Sequence, residues 1–314
     1  MNRTRARRGF TLIELVVVLA VLALVTHLAV RELSHLRDSR LGQAADRQLE
    51  EIRDAVWCER AGAEPSGFLA DMGRLPRAVA TTNGTDALSV SLRELWARPA
   101  GVGPYALRAA TPENLVGPTN DLADAEIRVG CGWRGPYVRL PLGAERLVDA
   151  WGNRLENHDD AGYDRLLDAA GAAVAAGGDV WRVRHLGADG RLDADAPADA
   201  APALAARRDA EVSFLPAGGL TNLLSVSATF VGASGPKSVD GDVQVRWYAP
   251  CGSAITGAVQ TVSLAGGAVA SCVFESVPPG VATVAVLVGG RKRALERVVV
   301  PPGGRDVAMK VFVP

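Results

Sequence analysis

The chain lacks the short motifs that mark common hydrolases and nucleotide-binding enzymes. Its 314 residues contain no HExxH zinc motif, no Gly-x-Ser-x-Gly elbow and no GxxxxGK[ST] phosphate loop. The histidines are few and scattered, at His27, His35, His158 and His185. Asp159-Asp160 follows one of them, but an acidic pair of this kind in a Gly-rich insertion is expected to be solvated. These absences argue against an enzyme.

An excess of charge of either sign is also missing. The chain has 34 Lys and Arg against 35 Asp and Glu, a net charge of -1 and a pI near 6.5. Nucleic-acid binding depends on a concentrated basic face that neutralises phosphates. We therefore expect no nucleic-acid partner.

Proline is absent between Phe10 and Arg60, and Gly42 is the only glycine there, so one long helix is predicted over residues 10–60. Its first part, residues 10–30, is apolar apart from Glu14 and long enough to span a bilayer. The leader, residues 1–9, carries four arginines and no acid, which should keep it cytoplasmic. A secretory signal is cut after its apolar stretch. The plausible cut here, between Gly9 and Phe10, precedes that stretch, so the anchor would be retained.

Gly9 to Glu14 (GFTLIE) match without a gap the pattern at the processing site of type IV pilins and pseudopilins, which this N-terminus resembles. The resemblance implies cleavage by prepilin peptidase, N-methylation of Phe10, and assembly with other subunits into a helical homo- or hetero-filament. It also implies that Glu14 pairs with the freed N-terminal ammonium of a neighbouring subunit. A lone carboxylate near the bilayer centre costs about 2.5–3.5 kcal/mol, which such pairing would offset. The alternative is a plain anchor that happens to contain Glu14.

This reading places the protein in the bacterial inner membrane as a single-pass subunit, with its body in the periplasm and its filament in the periplasm or at the cell surface. Beyond the bilayer, apolar residues recur at spacings of three to five and predict an amphipathic helix that packs on a head. A coiled-coil stalk is the alternative, but the heptad spacing is not sustained. The apolar positions are Leu33, Leu36, Leu41, Ala45, Leu49, Ile52 and Val56.

Residues 61–193 are expected to form a globular head, and the resemblance extends into it. Four segments follow the order seen in major pseudopilins of type II secretion: 73–76 (GRLP), 88–99 (LSVSLRELWARP), 132–137 (GWRGPY) and 149–153 (DAWGN). Ala150 replaces the usual proline, which weakens the rigidity of that turn. We expect a short helix in SLRELWARP, a hairpin turn at Gly152-Asn153 and a strand at 180–185. Trp133, Tyr137 and Trp151 should have packing roles rather than form a ligand cage, with Trp151 as a core anchor.

The segment after the predicted strand is acidic and contains glycine. It resembles the start of the calcium-binding loop of major pseudopilins, which implies Ca2+ ligands at the Leu186 carbonyl and at Asp189, Asp193 and Asp195. His185 replaces the usual serine, the downstream glycine pair is missing, and the spacing is not that of an EF-hand. A solvated acidic loop is the alternative.

Cysteine is scarce, and its four positions are too far apart for the paired spacing of zinc sites. Because the anchor delivers the body to an oxidising compartment, two disulfides are expected. We favour Cys58 with Cys131 and Cys251 with Cys272, since each pair stays inside one predicted domain.

An Ala/Pro-rich linker is predicted over 194–212, followed by a second domain over 213–314. Seven short β-type runs between Gly/Pro turns predict an antiparallel sandwich, immunoglobulin-like or prealbumin-like, with a weak resemblance to prealbumin-like and carboxypeptidase-regulatory-like modules near the end. The fold class is therefore α+β: a long helix packed on a small antiparallel sheet, as in pilins, then an all-β sandwich.

Three functions remain open from the sequence. The first is a structural subunit of a type II secretion pseudopilus or a related filament. The second is a surface type IV pilin whose C-terminal sandwich is a binding or adhesive module. A membrane-anchored enzyme is the third, and the missing catalytic motifs disfavour it. WRGPY and DAWGN favour the first function over the second, whereas the extra sandwich domain favours the second.

Overall fold

A computed structural model describes residues 12–60, 63–82, 88–116, 122–158, 164–187, 190, 209–215, 220, 222–304 and 306–314. Its class is α+β, as predicted: one long N-terminal helix precedes a series of mainly antiparallel sheets. The expected leader, the cut between Gly9 and Phe10, and residues 194–208 of the expected linker lie outside the described residues.

The predicted long helix is present as α1, Leu12–Val56. It ends four residues before the expected limit, where the chain leaves the helix and Cys58 pairs with Ser66 through two backbone hydrogen bonds of 2.8 and 2.9 Å. A second helix, α2, spans Phe68–Met72 and buries all five of its side chains. The two helices contact each other, which places α2 against the outer end of α1.

The head contains two three-stranded antiparallel sheets and a two-stranded ribbon. Its strands are β1 Val79–Thr82, β2 Leu88–Ser91, β3 Ala106–Ala110, β4 Asp124–Cys131, β5 Glu156–His158, β6 Leu166–Leu167, β7 Arg182–His185 and β8 Ala210–Ser213. One sheet has the order β1-β2-β5, the other β6-β7-β8, and β3 pairs with β4. Strand β7 lies within the strand predicted at 180–185. The short helix expected in SLRELWARP is present as a 3₁₀ helix at Arg93–Leu95.

The head core continues past the predicted linker, which is a correction to that boundary. Strand β8 pairs with β7 from Ala210 to Ser213, and Phe214 and Leu215 are buried in the head core. The alternation of residues 210–215 was too short to separate a strand from the alanine-rich segment before it. The head therefore extends to Leu215, with the outer half of α1 packed on β7 and β8.

The Gly-rich insertion after His158, expected to be an exposed excursion, is packed on the head at a few positions, whereas residues 169–173 and 175–177 are exposed. Leu166, Leu167 and Val174 are buried. The side chain of Asn157 anchors them, since its carbonyl oxygen accepts hydrogen bonds from the backbone N–H groups of Arg165 and Leu166, each at 2.7 Å. A buried polar side chain with its partners satisfied can take the place of a missing strand neighbour.

The second domain is a sandwich of two sheets, and the seven predicted runs are all present as strands. The strands are β9 Asn222–Gly232, the short β10 Gly235–Pro236, β11 Val239–Cys251, β12 Ala254–Gly267, β13 Val269–Val277, β14 Gly280–Val288, β15 Arg291–Val300 and β16 Asp306–Val313. One sheet contains β10, β9, β13 and β16, and the other has the order β12-β11-β14-β15. Buried valines and alanines from both sheets, with Trp247 and Phe274, fill the space between them.

Two details of this sandwich differ from expectation. The last strand, β16, pairs with the first, β9, in parallel rather than antiparallel orientation. Immunoglobulin constant-type domains place their first and second strands in the same sheet. Here the first two long strands, β9 and β11, lie in opposite sheets.

The head and the sandwich share a third hydrophobic cluster, which we call the docking core. The ribbon side of it comes from Ala110, Leu115, Leu122, Ile127, Val129 and Cys131, and the sandwich side from Tyr248, Ile255, Ala285 and Leu287. Backbone hydrogen bonds cross the boundary, because Val116 N–H donates to the Ile255 carbonyl at 2.8 Å and Ile255 N–H to the Asn114 carbonyl at 2.7 Å. The buried Tyr248 hydroxyl donates to the Leu122 carbonyl at 2.9 Å.

Gly73 permits the closest approach between the two domains. It ends α2 in a left-handed conformation with φ +65°, and an added Cβ would lie 1.9 Å from the Pro250 carbonyl oxygen. Only glycine fits both the conformation and the space. The glycine of the GRLP segment is therefore needed for the docking of the sandwich.

Gly73→Ala should destabilise the protein by about 1–3 kcal/mol beyond the matched control Gly101→Ala. Gly101 has a similar φ of +76° with nothing within 4 Å of an added Cβ, so the control carries only the left-handed strain, roughly 1–2 kcal/mol. Denaturant unfolding of the detergent-solubilised full chain measures the difference. Equal losses for the two variants would contradict the close approach.

Candidate functional site

The first half of α1 is an apolar surface with no protein covering it in the monomer. The large hydrophobic side chains from Leu12 to Val30 are all more than 40% exposed. At 1.5 Å per residue this part of the helix is about 28 Å long, close to the hydrocarbon thickness of a bilayer. The Thr26 hydroxyl donates a hydrogen bond to the Leu22 carbonyl at 2.7 Å, so it needs no hydrogen-bond partner outside the helix. By length and composition, α1 is the one helix among the described residues that could cross a membrane.

Glu14 lies in the first turn of α1 as described. A carboxylate there interacts favourably with the positive end of the helix dipole. Phe10 lies four residues before it in the sequence, the spacing at which helical side chains share a face. Gly9 and Phe10 themselves lie outside the described residues.

The outer half of α1 attaches the anchor to the head through a narrow stripe. Ala45, Leu49, Ile52 and Val56 are buried, as the periodicity predicted. Leu33 and Leu36 were assigned to the same packing face but are 65% and 56% exposed. The apolar surface of the helix therefore extends almost two turns past Val30 before the head begins to cover it.

Two polar contacts fix the helix on the head. The buried His185 imidazole Nε2 lies 3.1 Å from the Asp46 carboxylate on α1. The Gln48 side chain donates to the Val148 carbonyl at 2.7 Å. These contacts connect α1 to β7 and to the DAWGN segment, so the orientation of the anchor is set by the head.

The DAWGN segment forms a turn organised by Asp149. Its carboxylate accepts hydrogen bonds from the backbone N–H groups of Trp151 at 3.0 Å and Asn153 at 2.8 Å, and from the Asn153 side chain at 3.1 Å. This carboxylate supplies the rigidity that Ala150 cannot. Trp151 is only half-buried and packs on the His185 ring with centroids 5.2 Å apart, so it supports the helix contact rather than anchoring the core.

The other three family-like segments meet around Glu94. Arg74 of GRLP holds the Glu94 carboxylate with two hydrogen bonds of 2.7 and 2.9 Å, and the Trp133 indole donates to the Glu94 carbonyl at 2.9 Å. Tyr137 packs edge-on against Phe68 and Trp133. Trp133 and Tyr137 therefore have the packing roles expected of them.

Gly130, Gly132 and Gly135 have the GxGxxG spacing of a dinucleotide-binding turn. That fingerprint requires a helix directly after the strand, whose N-terminus binds the pyrophosphate. Here β4 leads instead into irregular chain with a cis peptide bond at Gly135–Pro136. The spacing carries no cofactor site.

A groove of about 630 Å³ lies between α1 and the WRGPY segment. Asp71 is at its base, where its carboxylate pairs with Arg134 at 3.1 Å and accepts the Tyr137 hydroxyl at 3.0 Å. Burial raises the pKa of Asp71 above 3.8 despite the opposing effects of Arg134 and Tyr137. Among the described residues, no group of three or more His, Cys, Asp or Glu could hold a metal ion.

The expected calcium ligands are only partly described. Leu186 is fully buried, whereas Asp189, Asp193 and Asp195 lie outside the described residues. The Gly187 carbonyl accepts the Asn153 side chain at 3.2 Å. An added Cβ at Gly190 would lie 3.9 Å from an Arg165 guanidinium nitrogen, so a cation already lies beside this loop.

Neither expected disulfide is formed, since all four thiols are free in the structure. The Cys131 side chain faces the docking core. The opposite face of β4, at Gly130, is the one near Ser66, which pairs with Cys58 through its backbone. Cys272 points into the sandwich core, whereas Cys251 lies exposed at the end of β11. The two pairings within predicted domains therefore stay predictions, and the structure places Cys131 and Cys251 at the boundary between the domains.

Asp71→Asn should remove a pH dependence of stability. The folded-state pKa of Asp71 is raised, so its contribution is complete below the unfolded pKa near 3.8 and is lost as pH rises through the folded value. The stability of the unmodified protein relative to Asp71→Asn should thus fall over that range. Tyr137→Phe removes a donor that lowers this pKa and should extend the fall to higher pH. Unfolding midpoints measured from pH 3 upward test this, and parallel profiles would refute it.

Residues 4–30 match the prokaryotic N-terminal methylation motif. No curated protein sequence matches the chain. The matched segment contains Gly9, Phe10 and Glu14 and the apolar part of α1, and it implies processing by prepilin peptidase and assembly with other pilin-type subunits. Together, the motif and the exposed helix of membrane length indicate a type IV pilin-like, prepilin-type protein with a single-pass membrane anchor.

Proposed function

We propose that this protein is a structural subunit of a type II secretion pseudopilus or a closely related type IV pilus-like filament. The observation that carries the proposal is the division of α1, half of which is exposed and apolar while the other half is packed on a β-rich head. Such a helix needs two successive environments, the bilayer before assembly and neighbouring helices afterwards. A plain anchor needs only the first.

The proposed topology follows from charge. The arginines of the leader stay in the cytoplasm, the helix crosses the inner membrane, and the head and sandwich lie in the periplasm. Cleavage after Gly9 then leaves a positive ammonium on Phe10 at the cytoplasmic face. In a filament, the Glu14 carboxylate of one subunit would neutralise the ammonium of the next as both leave the lipid.

The alternative is a surface type IV pilin whose sandwich is a binding or adhesive module. The docking core supports this alternative, because a sandwich held rigidly on the head would be presented in one fixed orientation along a fibre. Neighbouring genes would separate the two functions. A set of other pseudopilin genes beside this one would single out type II secretion, whereas a secretion ATPase and an outer-membrane secretin would support either.

Gly9→Val should block processing, because the branched side chain does not fit where prepilin peptidase takes a glycine. Gly9→Ala is the matched control and should be nearly tolerated. Intact-mass measurement of protein extracted from the membrane of a peptidase-positive host gives the result. Unmodified protein that still carries residues 1–9 would overturn the proposed processing.

Glu14→Leu should leave membrane insertion intact or improve it, since a charge costing about 2.5–3.5 kcal/mol leaves the bilayer. Filament assembly should fail, because the neighbouring ammonium loses its partner. Glu32→Leu removes a carboxylate from the exposed helix surface beyond the apolar stretch and is the matched control. In-cell crosslinking of subunits measures assembly, and a normal crosslinking level for Glu14→Leu would contradict the pairing.

Calcium binding at the loop that starts at Leu186 is a separate proposal, supported by the resemblance and by Asp189, Asp193 and Asp195. Extracellular calcium modules bind at about 0.1–1 mM, so calcium in that range should raise the melting temperature of the full chain by mass action. Asp189→Ala combined with Asp193→Ala should abolish the rise while barely changing the melting temperature in chelator. Identical melting of the unmutated protein with calcium and with chelator would leave only a solvated acidic loop.

A further inference from the structure

Cys131 and Cys251 come from different domains and meet at the boundary between them. Cys131 is the last residue of β4, and its side chain lies on the ribbon face that also carries Ile127 and Val129 into the docking core. Cys251 is the last residue of β11, just before the chain turns back into β12, and it is exposed. One thiol is therefore buried in the boundary and the other lies at its rim.

Several contacts hold the turn after Cys251 against the head. Gly252 N–H donates to the Met72 carbonyl at 2.8 Å. The Cβ position of Gly103 lies 3.7 Å from the Ser253 Cβ and 2.7 Å from an Arg108 guanidinium nitrogen. Trp133, two residues after Cys131, donates its backbone N–H to the Gly103 carbonyl at 3.1 Å, so the turn after Cys251 lies beside the end of β4. The charges of Arg108 and of Cys251 both act on the Cys131 thiol.

We propose that Cys131 and Cys251 form a disulfide that links the head to the sandwich. The other two cysteines are placed away from this contact. Cys272 lies in the sandwich core, where burial raises its pKa to about 11 and keeps it a thiol. Cys58 lines the groove beside α1, on the side of Asp71 and Arg134.

The chemistry requires an outside oxidant, which we take to be a protein disulfide or glutathione disulfide. The accessible Cys251 thiolate attacks it, forming a mixed disulfide and releasing one oxidant thiolate. The Cys131 thiolate then attacks the Cys251 sulfur, the intramolecular bond forms, and the second oxidant thiolate leaves. The two cysteines lose two electrons and two protons, which reduce the oxidant to two thiols.

Arg108 fits the second step. Burial raises the pKa of Cys131, but the positive charge of the nearby Arg108 guanidinium opposes that effect, so it stabilises the attacking thiolate. Once formed, the bond would close a covalent loop that includes the segment joining the domains. The head and the sandwich would then stay linked at their boundary even where the docking core is disrupted.

The test uses the purified, detergent-solubilised full chain in a buffer containing oxidised glutathione. Free thiols are alkylated with N-ethylmaleimide under denaturing conditions, and the protein is digested without reduction by trypsin and chymotrypsin. Cleavage after Leu264 separates Cys251 from Cys272, which trypsin alone leaves in one peptide. Mass spectrometry then identifies the linked peptides.

We expect the Cys131 and Cys251 peptides to be linked in the unmodified protein and in Cys272→Ser, with alkylation only on the remaining cysteines. In Cys251→Ser, Cys131 should be alkylated. A reducing agent should lower the melting temperature of the first two proteins by several degrees but leave that of Cys251→Ser unchanged. Alkylation of all four cysteines in the unmodified protein, or a link from Cys251 to Cys58 or Cys272, would overturn the proposal.

In the cell, the oxidant depends on the periplasmic placement proposed above. The experiment supplies its own oxidant and needs neither export nor assembly. A failure to form the bond in this buffer therefore counts against the cysteine pair alone, whereas failed processing or assembly counts against the filament proposal.

Discussion

The structure depends on how the apolar surface of α1 is shielded from water. The large hydrophobic side chains from Leu12 to Val30, with Leu33 and Leu36, are exposed, and burying such surface is worth roughly 25 cal/mol per Å². The head cannot supply that cover, because its own core is closed by the stripe from Ala45 to Val56. The fold therefore requires a partner outside the monomer, either lipid or protein, to cover this surface.

The head itself is organised to hold the helix in a fixed direction. Its family-like segments are far apart in sequence but converge on two carboxylates, Glu94 and Asp149, each satisfied by several donors. Buried carboxylates with satisfied hydrogen bonds rigidify and specify one arrangement. The Asp149 turn then positions Trp151 against His185, which reaches Asp46 on the helix. These motifs thus specify the geometry of the anchor and supply no chemistry of their own.

Features carried by local pattern were predictable from the sequence. The absence of proline and the spacing of apolar residues gave the long helix, and alternation gave all seven strands of the sandwich. The limits of prediction appear where distant segments meet. The docking core combines residues between Ala110 and Leu287 from separate strands, and no local period shows which strands meet across a domain boundary. The cysteines were assigned within domains for the same reason. Leu33 and Leu36 fit the helical period, but the period does not indicate at which residue of α1 the head begins to cover the helix.

The parallel pairing of β9 with β16 has a mechanical consequence. The sandwich is entered from the head through β9, and this strand lies between β13 and β16, hydrogen-bonded to both along most of its length. A pull transmitted from the anchored end would act along the axis of β9. The bonds on either side would then bear the load simultaneously in shear, instead of opening one after another as at a peeled edge. The sandwich domain is thereby joined to the head by the strand best placed to resist tension.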